Sequence, residues 1–355
     1  MTQEKKIYTV HLEPVGIDVE VEEGEHVLDA AFRQGLALPH GCKNGQCSSC
    51  KAVIIGDVDH DMLRYSTFAL NDTEKDQGQT LLCRMVPYED CSVELMNYEE
   101  HLLKHSVPVR KFDVTVAESE KLTDDMWHLV LDVDSEEGLT FFAGQYVDIT
   151  IPKINLTRSF SLANTPSDNK KLEFIIKAYS DGQFSSNLAN GGVKVGDALK
   201  IEGPYGSCVR HSDETGTMFL IGGGSGMAPL LSILRDLVES GEQRPVRFFY
   251  GARTQADLFY LDLIADLGSK LDDFSFIPAL SDAGDDTEWD GKTGFVHDVV
   301  REYMDDNEPD GEEDEVYVCG PPVMVDALTP VLFVHDIEEE RIHLDRFTNT
   351  NTSDE

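Results

Sequence analysis

Three cysteines are crowded into Cys42-Lys-Asn-Gly-Gln-Cys47-Ser-Ser-Cys50, and a fourth follows at Cys83 in Leu-Leu-Cys-Arg. Sulfurs at such spacing either pair as disulfides or hold metal, and the choice depends on the redox compartment. The start of the chain, Met1 to Lys6, is polar and carries no apolar run resembling a signal segment. No stretch reaches the roughly eighteen apolar residues that a membrane span requires. A soluble, cytoplasmic chain is therefore expected, with its thiols reduced and the crowded cysteines ligating metal. Gly41 and Gly45 fit that reading, because a loop wrapped around a metal centre needs unusual φ values and backbone N–H groups close to the sulfurs.

Structural zinc sites favour paired C-x2-C units, and this sequence offers only Cys47 to Cys50. The full pattern, C-x4-C-x2-C followed by a distant cysteine, is the spacing by which plant-type ferredoxins hold a [2Fe-2S] cluster through thiolates. Cys42, Cys47, Cys50 and Cys83 are thus the expected metal ligands. Of the remaining cysteines, Cys91 and Cys208 read as small buried hydrophobes.

A chain of 355 residues exceeds one ordinary domain, and 41 % hydrophobic content suits folding throughout. Ile7 to Leu12 and Ile17 to Val21 alternate apolar and polar residues and predict a hairpin, with a helix over His26 to Leu36. Ser92 to Leu103 reads as a last strand and a charged tail, and Val107-Pro108-Val109 as a linker, placing the first boundary near residue 105. Strand-length runs at 112–116, 126–133, 145–151, 171–179 and 198–202, punctuated by Gly and Pro, predict a small antiparallel barrel. After about residue 215 the order strand, glycine-rich turn, helix predicts a parallel α/β sheet. The acidic segment Asp305 to Glu315 reads as a solvated loop without function.

The formal net charge of -38, from 67 acidic against 29 basic residues, makes nucleic acid and anionic membranes unsuitable partners. It is compatible with electrostatic docking of a protein partner, and equally with a role in solubility alone.

Arg158-Ser159-Phe160-Ser161 places a guanidinium and a hydroxyl at an expected strand start, where they can reach a phosphate and a flavin ring nitrogen. Gly182-Gln-Phe-Ser185 opens an expected helix over Ser186 to Asn190, whose first amides would receive a pyrophosphate. Lys177 is taken with these as a cofactor contact. Gly222-Gly223-Gly224-Ser225-Gly226-Met-Ala-Pro229 lies between an apolar strand and a helix and differs from the Rossmann G-x-G-x-x-G fingerprint. Val316-Tyr-Val-Cys319-Gly320-Pro321-Pro322 sets Cys319 at the C-terminal end of a parallel strand, where open α/β sheets bind ligands.

Taken in order, these motifs resemble the ferredoxin-NADP reductase superfamily. Within it the chain is similar to reductase components of soluble di-iron monooxygenases of the methane, phenol, propane or alkene type, and Rieske-dioxygenase reductases share the layout. The resemblance implies a multidomain α+β and α/β chain: a β-grasp ferredoxin domain at 1–105, an antiparallel FAD-binding β-barrel at 106–212 and a parallel α/β NAD-binding domain at 213–355. It implies that Arg158, Phe160 and Ser161 meet the flavin, Gly182 and Ser185 its pyrophosphate, and Gly223 to Pro229 with Cys319, Gly320 and Pro321 the nicotinamide nucleotide. Cys319 would face the nicotinamide. Phe160 stands where the family often has tyrosine, which leaves ring packing without the hydroxyl. Asp345-Arg-Phe347 resembles the family's acidic-x-aromatic element beside the flavin, making Phe347, with Ser161 and Cys319, an expected catalytic contact.

The expected activity is hydride transfer from NADH to FAD, then single electrons through the cluster to a separate oxygenase hydroxylase. The alternatives are a Rieske-type partner and a redox sensor without turnover. NADH is favoured over NADPH because the loop Gly251-Ala-Arg-Thr-Gln-Ala-Asp257 offers one cation, Arg253, with Asp257 close behind. Electrons should leave beside the Lys43 to Ser49 loop, with Asp57, Asp59, Asp61 and Glu89 as a docking rim.

Overall fold

The computed structural model describes residues 6–36, 38–96, 107–179, 182–212, 214–284 and 289–347. The expected boundary near residue 105 and the tail before it lie outside them. The described residues fall into two compact units, one taking those up to Arg110 together with Gly203–Ser207, the other Lys111–Glu202 together with those from Cys208 on.

In the first unit the hairpin β1 (Ile7–Glu13) and β2 (Ile17–Glu22) forms as its alternation predicts, with Val10, Leu12, Val19 and Val21 fully buried. Helix α1 (Val27–Arg33) is shorter than expected, because the chain turns at Gln34 and Gly35, the glycine at φ +80°. Its buried residues Val27, Leu28, Ala30, Ala31 and Phe32 form one broad apolar face. The strands β3 (Lys51–Ile55), β4 (His60–Met62), helix α2 (Asp72–Asp76), β5 (Gln79–Leu81), β6 (Met85–Pro87) and β7 (Cys91–Leu95) complete the unit. The main sheet runs β2-β1-β7-β3-β5, with β1 and β7 parallel and the other pairs antiparallel, while β4 and β6 pair separately. Cys91 is half-buried; burial, with the charges of Asp90 and Glu89 adding, raises its thiol to about 11.

The second unit begins with β8 (Arg110–Lys121), β9 (Met126–Val133), β10 (Tyr146–Ile151), β11 (Leu156–Ser161), β12 (Lys171–Lys177), helix α3 (Gln183–Ala189) and β13 (Ala198–Tyr205). The sheet order is β11-β10-β13-β8-β9-β12, and an antiparallel bridge from Leu162 to Phe174 joins its two ends, so the expected barrel closes. Two expectations shift here. Arg158 is in the middle of β11 rather than at a strand start, and α3 begins three residues earlier than Ser186, at Gln183.

The α/β part follows: β14 (Met218–Gly223), helix α4 (Met227–Ser240), β15 (Val246–Ala252), α5 (Leu261–Gly268), β16 (Phe274–Leu280), β17 (Lys292–Thr293), α6 (Val296–Asn307), β18 (Glu315–Gly320), α7 (Pro322–Val334) and β19 (Ile342–Arg346). All pairs in β17-β16-β15-β14-β18-β19 are parallel. Buried runs such as Met218–Gly223 and Glu315–Gly320 have helices on both faces, as a parallel sheet demands. The acidic segment is not one solvated loop: α6 extends to Asn307, while Asp314 is 5 % and Glu315 0 % exposed. Average acidity over the window hid the start of a buried strand, where the distant Arg244 pairs with Glu315 at 2.6 Å.

Barrel and α/β sheet meet along α4. Ser232 Oγ donates to Asn164 O at 2.6 Å, and Arg235 Nη1 donates to Ala163 O at 2.9 Å and to Glu173 Oε2 at 3.0 Å. Burial pushes the Glu173 carboxyl up, but the nearby His128, 3.4 Å away, and the charge and hydrogen bond of Arg235 outweigh it and hold it near a pKa of about 2.

Candidate cluster and nucleotide sites

The four expected cluster ligands are brought together by sheet register as well as by the loop. Cys50 immediately precedes β3 and Cys83 follows β5; Lys51 pairs with Leu81, and Leu82 N–H donates to Cys50 O at 3.0 Å. Within the loop, Cys42 N–H donates to Cys47 Sγ at 3.2 Å and Gln46 N–H to Cys42 Sγ at 3.1 Å. Lys43 and Ser48 take positive φ, as does Gly45 at +79°, where an added Cβ would sit 2.9 Å from Tyr65 Cβ. Such a tight loop lets amides point at sulfur, which lowers the cost of negative charge on a thiolate–iron centre.

The thiols compete for protons. A hydrogen bond to Cys47, with burial adding, pushes Cys42 up; a bond to Cys50 and burial push Cys83 up; Cys47 is drawn down to about 5, chiefly by the Cys42 thiol and against burial. Thiols so crowded do not all ionise by themselves, and the positive charge of bound iron removes the conflict. The donor set fits the cluster.

On the same unit, the proposed rim residues Asp57, Asp59, Asp61 and Glu89 are all exposed. Pairing of β4 with β6 gathers Asp59, Asp61 and Glu89: Asp59 N–H donates to Glu89 Oε1 at 2.7 Å, and Tyr88 OH to Asp61 Oδ2 at 2.6 Å. In the Lys43 to Ser49 loop, Gln46 is exposed and its neighbours are mostly half-buried.

The nucleotide site is built across strands distant in sequence. Gly222, Cys319 and Asp345 stand in register on the adjacent strands β14, β18 and β19. Asp345 Oδ2 accepts from Ser161 Oγ, at the end of β11, at 3.2 Å. Phe347 N–H donates to Gly320 O at 2.9 Å, which anchors the acidic-x-aromatic element against the second glycine motif. Residues 348–355 lie outside the described residues.

Close backbone approach explains the glycines. A Cβ on Gly226 would lie 1.9 Å from Cys319 O, and one on Gly222 2.6 Å from Leu230 Cδ1. Gly224 takes φ +60° and faces Met126 and Lys177 of the barrel, at 3.4 and 3.9 Å from an ideal Cβ. Pro229 lies in the first turn of α4, where its missing N–H costs nothing, and Ser225 is in the single turn preceding that helix. Cys319 is 0 % exposed, its Sγ 3.9 Å from that of Cys208, and burial pushes its thiol well above the usual range. Cys208 is buried as expected, and it has this specific neighbour.

Around the flavin motif, Phe160 packs on Phe184 with ring centroids 4.7 Å apart. Ser159 Oγ donates to Asp148 Oδ1 at 2.5 Å, while Arg158 is half-buried and donates from Nη1 to Thr157 O at 2.7 Å. Gly182 caps α3, and Ser185 Oγ accepts from Tyr179 N–H at 3.1 Å. A cavity of about 510 Å³ opens there between Ile154–Leu156 and Gly182, Gln183, Ser186 and Asn187. A phosphate-bearing group could be held in this cleft beside a helix start.

Two contributors had no local signal. Tyr250, 1 % exposed, donates its hydroxyl to Gly224 O at 2.9 Å and pins the glycine turn. Asp125 lies 3.2 Å from Lys177 Nζ and 3.5 Å from Arg253 Nη2. Arg253 also faces Asp257 at 3.6 Å, in a cavity of about 600 Å³ that Asp124, Asp257 and Asp282 help to line. A ribose 2′-phosphate there would meet carboxylates, whereas a 2′-hydroxyl can donate to them.

Three family models match the chain: 2Fe-2S iron-sulfur cluster binding domain over residues 10–88, Oxidoreductase FAD-binding domain over 113–209 and Oxidoreductase NAD-binding domain over 220–329. The reductase component of propane 2-monooxygenase from Gordonia sp. (strain TY-5) is 47 % identical over 345 residues, 96 % of this chain and 97 % of that protein. The chain belongs to the family of monooxygenase reductase components. The corresponding component from Rhodococcus jostii (strain RHA1) is 44 % identical over 96 % of this chain and 92 % of its own length. Among solved structures, the Amycolatopsis cytochrome P450 reductase is 30 % identical with a TM-score of 0.83, covering 96 % of this chain and 99 % of that one. This reductase is accordingly an NADH-dependent oxidoreductase that uses FAD and a [2Fe-2S] cluster. No helix among its described residues is long and apolar enough to cross a membrane.

Proposed function

We propose that this reductase passes electrons from NADH through FAD and its [2Fe-2S] cluster to a separate di-iron hydroxylase of the propane-oxidising type. When bound, FAD would supply an acceptor for one hydride, an electron pair with its proton, and the cluster a carrier for one electron at a time. The observation that carries the reading is the alignment of Gly222, Cys319 and Asp345 in one sheet register, with Ser161 of the barrel hydrogen-bonded to Asp345 at 3.2 Å. It puts the flavin-motif hydroxyl beside the strand ends that bear both nucleotide motifs.

In this proposal Cys42, Cys47, Cys50 and Cys83 hold the cluster. Arg158, Gly182 and Ser185 receive the flavin pyrophosphate; Ser159, Phe160, Ser161, Lys177 and Phe347 line the flavin; Gly223 to Gly226, Pro229, Gly320 and Pro321 hold NADH, with Cys319 facing the nicotinamide. Domain boundaries near residues 105 and 212 belong to the same proposal, and the three family matches fall within them. Cytoplasmic placement suits thiolate ligands that need a reducing compartment.

The test is reconstitution with purified hydroxylases. NADH-dependent product formation should appear with a di-iron propane hydroxylase, and its appearance only with a Rieske oxygenase would reject the partner. Absence of NADH-to-dye turnover would reject the enzyme reading in favour of a sensor. Arg158→Ala should release flavin, since a charge-assisted contact worth about 1.5–3 kcal/mol is lost; unchanged flavin content would reject its role.

A further inference from the structure

Away from the cofactor sites, β18 opens on a carboxylate that the second unit buries completely. Glu315 is 0 % exposed, and its Oε2 takes Nη1 of the buried Arg244 at 2.6 Å. Its other oxygen, Oε1, lies 3.1 Å from Nδ1 of His211 and 3.4 Å from Nε2 of His343. One ligand atom from each of the three residues lies within 4.8 Å of the others. The His343 side chain is 4 % exposed, and its Nε2 makes no hydrogen bond.

Ring packing fixes this arrangement. His211 and His343 meet edge to face with centroids 4.5 Å apart, and Tyr317 covers His343 at 4.7 Å. The Tyr317 hydroxyl accepts from His211 N–H at 3.1 Å and donates to Glu315 Oε1 at 3.4 Å. The three residues come from the segment after β13 and the starts of β18 and β19, so nothing local in the sequence announces them.

We propose that His211, Glu315 and His343 form a binding site for one divalent transition metal, with zinc the best match to the donors. Tetrahedral zinc with bonds of about 2.0–2.1 Å separates neighbouring ligand atoms by about 3.3–3.4 Å, close to the 3.1 and 3.4 Å from Glu315 Oε1 to the two imidazole nitrogens. Two imidazoles and a carboxylate suit zinc, whereas magnesium and calcium prefer oxygen alone. Arg244 occupies Oε2, orients the carboxylate and leaves it one oxygen for the metal. Because arginine and metal are both positive, the fourth ligand is expected to be hydroxide or another small anion, entering past His211, whose side chain is 20 % exposed. The site ties together segments distant in sequence and lies about 13 Å along β18 from Cys319, counting four residues at the rise of a strand. It is therefore a structural site, outside the route of the electrons.

The test uses tag-free holoprotein with its cluster iron fully loaded, equilibrated with zinc and freed of excess by gel filtration. Elemental analysis should find about one zinc per chain, with nitrogen and oxygen neighbours at the zinc absorption edge. His211→Asn and His343→Asn should each lower zinc retention at least tenfold, with NADH-to-dye turnover kept. If His343→Asn fails to fold, His211→Asn and the rise in wild-type melting temperature on adding zinc still decide. Zinc absent from the wild type, retained equally by His211→Asn, or bound through sulfur would overturn the proposal.

Discussion

The cluster loop and the nucleotide site solve the same problem, holding a cofactor, with opposite use of sequence. Three of the expected cluster ligands lie between Cys42 and Cys50, and one strand pairing brings in Cys83. The nucleotide site instead draws on β11, β14, β18 and β19, and its parts meet only because parallel strands align Gly222, Cys319 and Asp345. A local site fails when one ligand is lost. A distributed site fails when backbones can no longer approach.

The largest effect that tests this contrast is at the cluster. Cys47→Ser should remove the [2Fe-2S] absorbance and abolish electron delivery to an oxygenase, while NADH-to-dye turnover persists; equal loss of both would make the two sites interdependent. In the distributed site the strongest single change is Gly226→Ala, because its Cβ would lie 1.9 Å from Cys319 O. Overpacking of this kind costs about 1–3 kcal/mol, so NADH turnover should fall roughly 5–150-fold with cluster content unchanged. Normal turnover would mean that the two glycine motifs do not need their close contact.

A smaller effect is expected at Ser161→Ala, which deletes the hydrogen bond to Asp345. A loss of about 1 kcal/mol should slow flavin reduction roughly fivefold with flavin retained. Glu173 supplies a pH test of the join between barrel and α/β sheet. Its carboxyl is held down to about 2, so the stability it contributes is present above the ordinary carboxylate range and is lost as pH falls through that range towards 2. Acid unfolding of Glu173→Gln should show less pH dependence in that window than the wild type. The smallest effect should come from Asp59→Asn with Glu89→Gln. These exposed charges should change oxygenase association a few-fold at low salt and not at high salt, leaving dye turnover untouched.

The same contrast explains what the sequence could disclose. The hairpin, α1, most barrel strands and the alternation after residue 215 follow from periodicity and turn residues, and the cluster ligands from spacing. Arg158 and Ser161 were visible as a motif, yet β11 as a whole was not, since the polar run Thr157-Arg158-Ser159 interrupts any apolar alternation. Tyr250 reads as one more apolar strand residue until its hydroxyl is found on Gly224 O. Glu315 was lost in an acidic window because its partners, Arg244, His211 and His343, are remote in sequence. Pairings set by topology leave no period to read.

The most direct test of the electron route is anaerobic rapid mixing of the oxidised reductase with NADH, followed at flavin and cluster wavelengths. The account requires flavin bleaching to come first and cluster reduction to follow no faster, with cluster reduction lost when the protein is stripped of FAD. Cluster reduction by NADH at an unchanged rate in the flavin-free protein would contradict it.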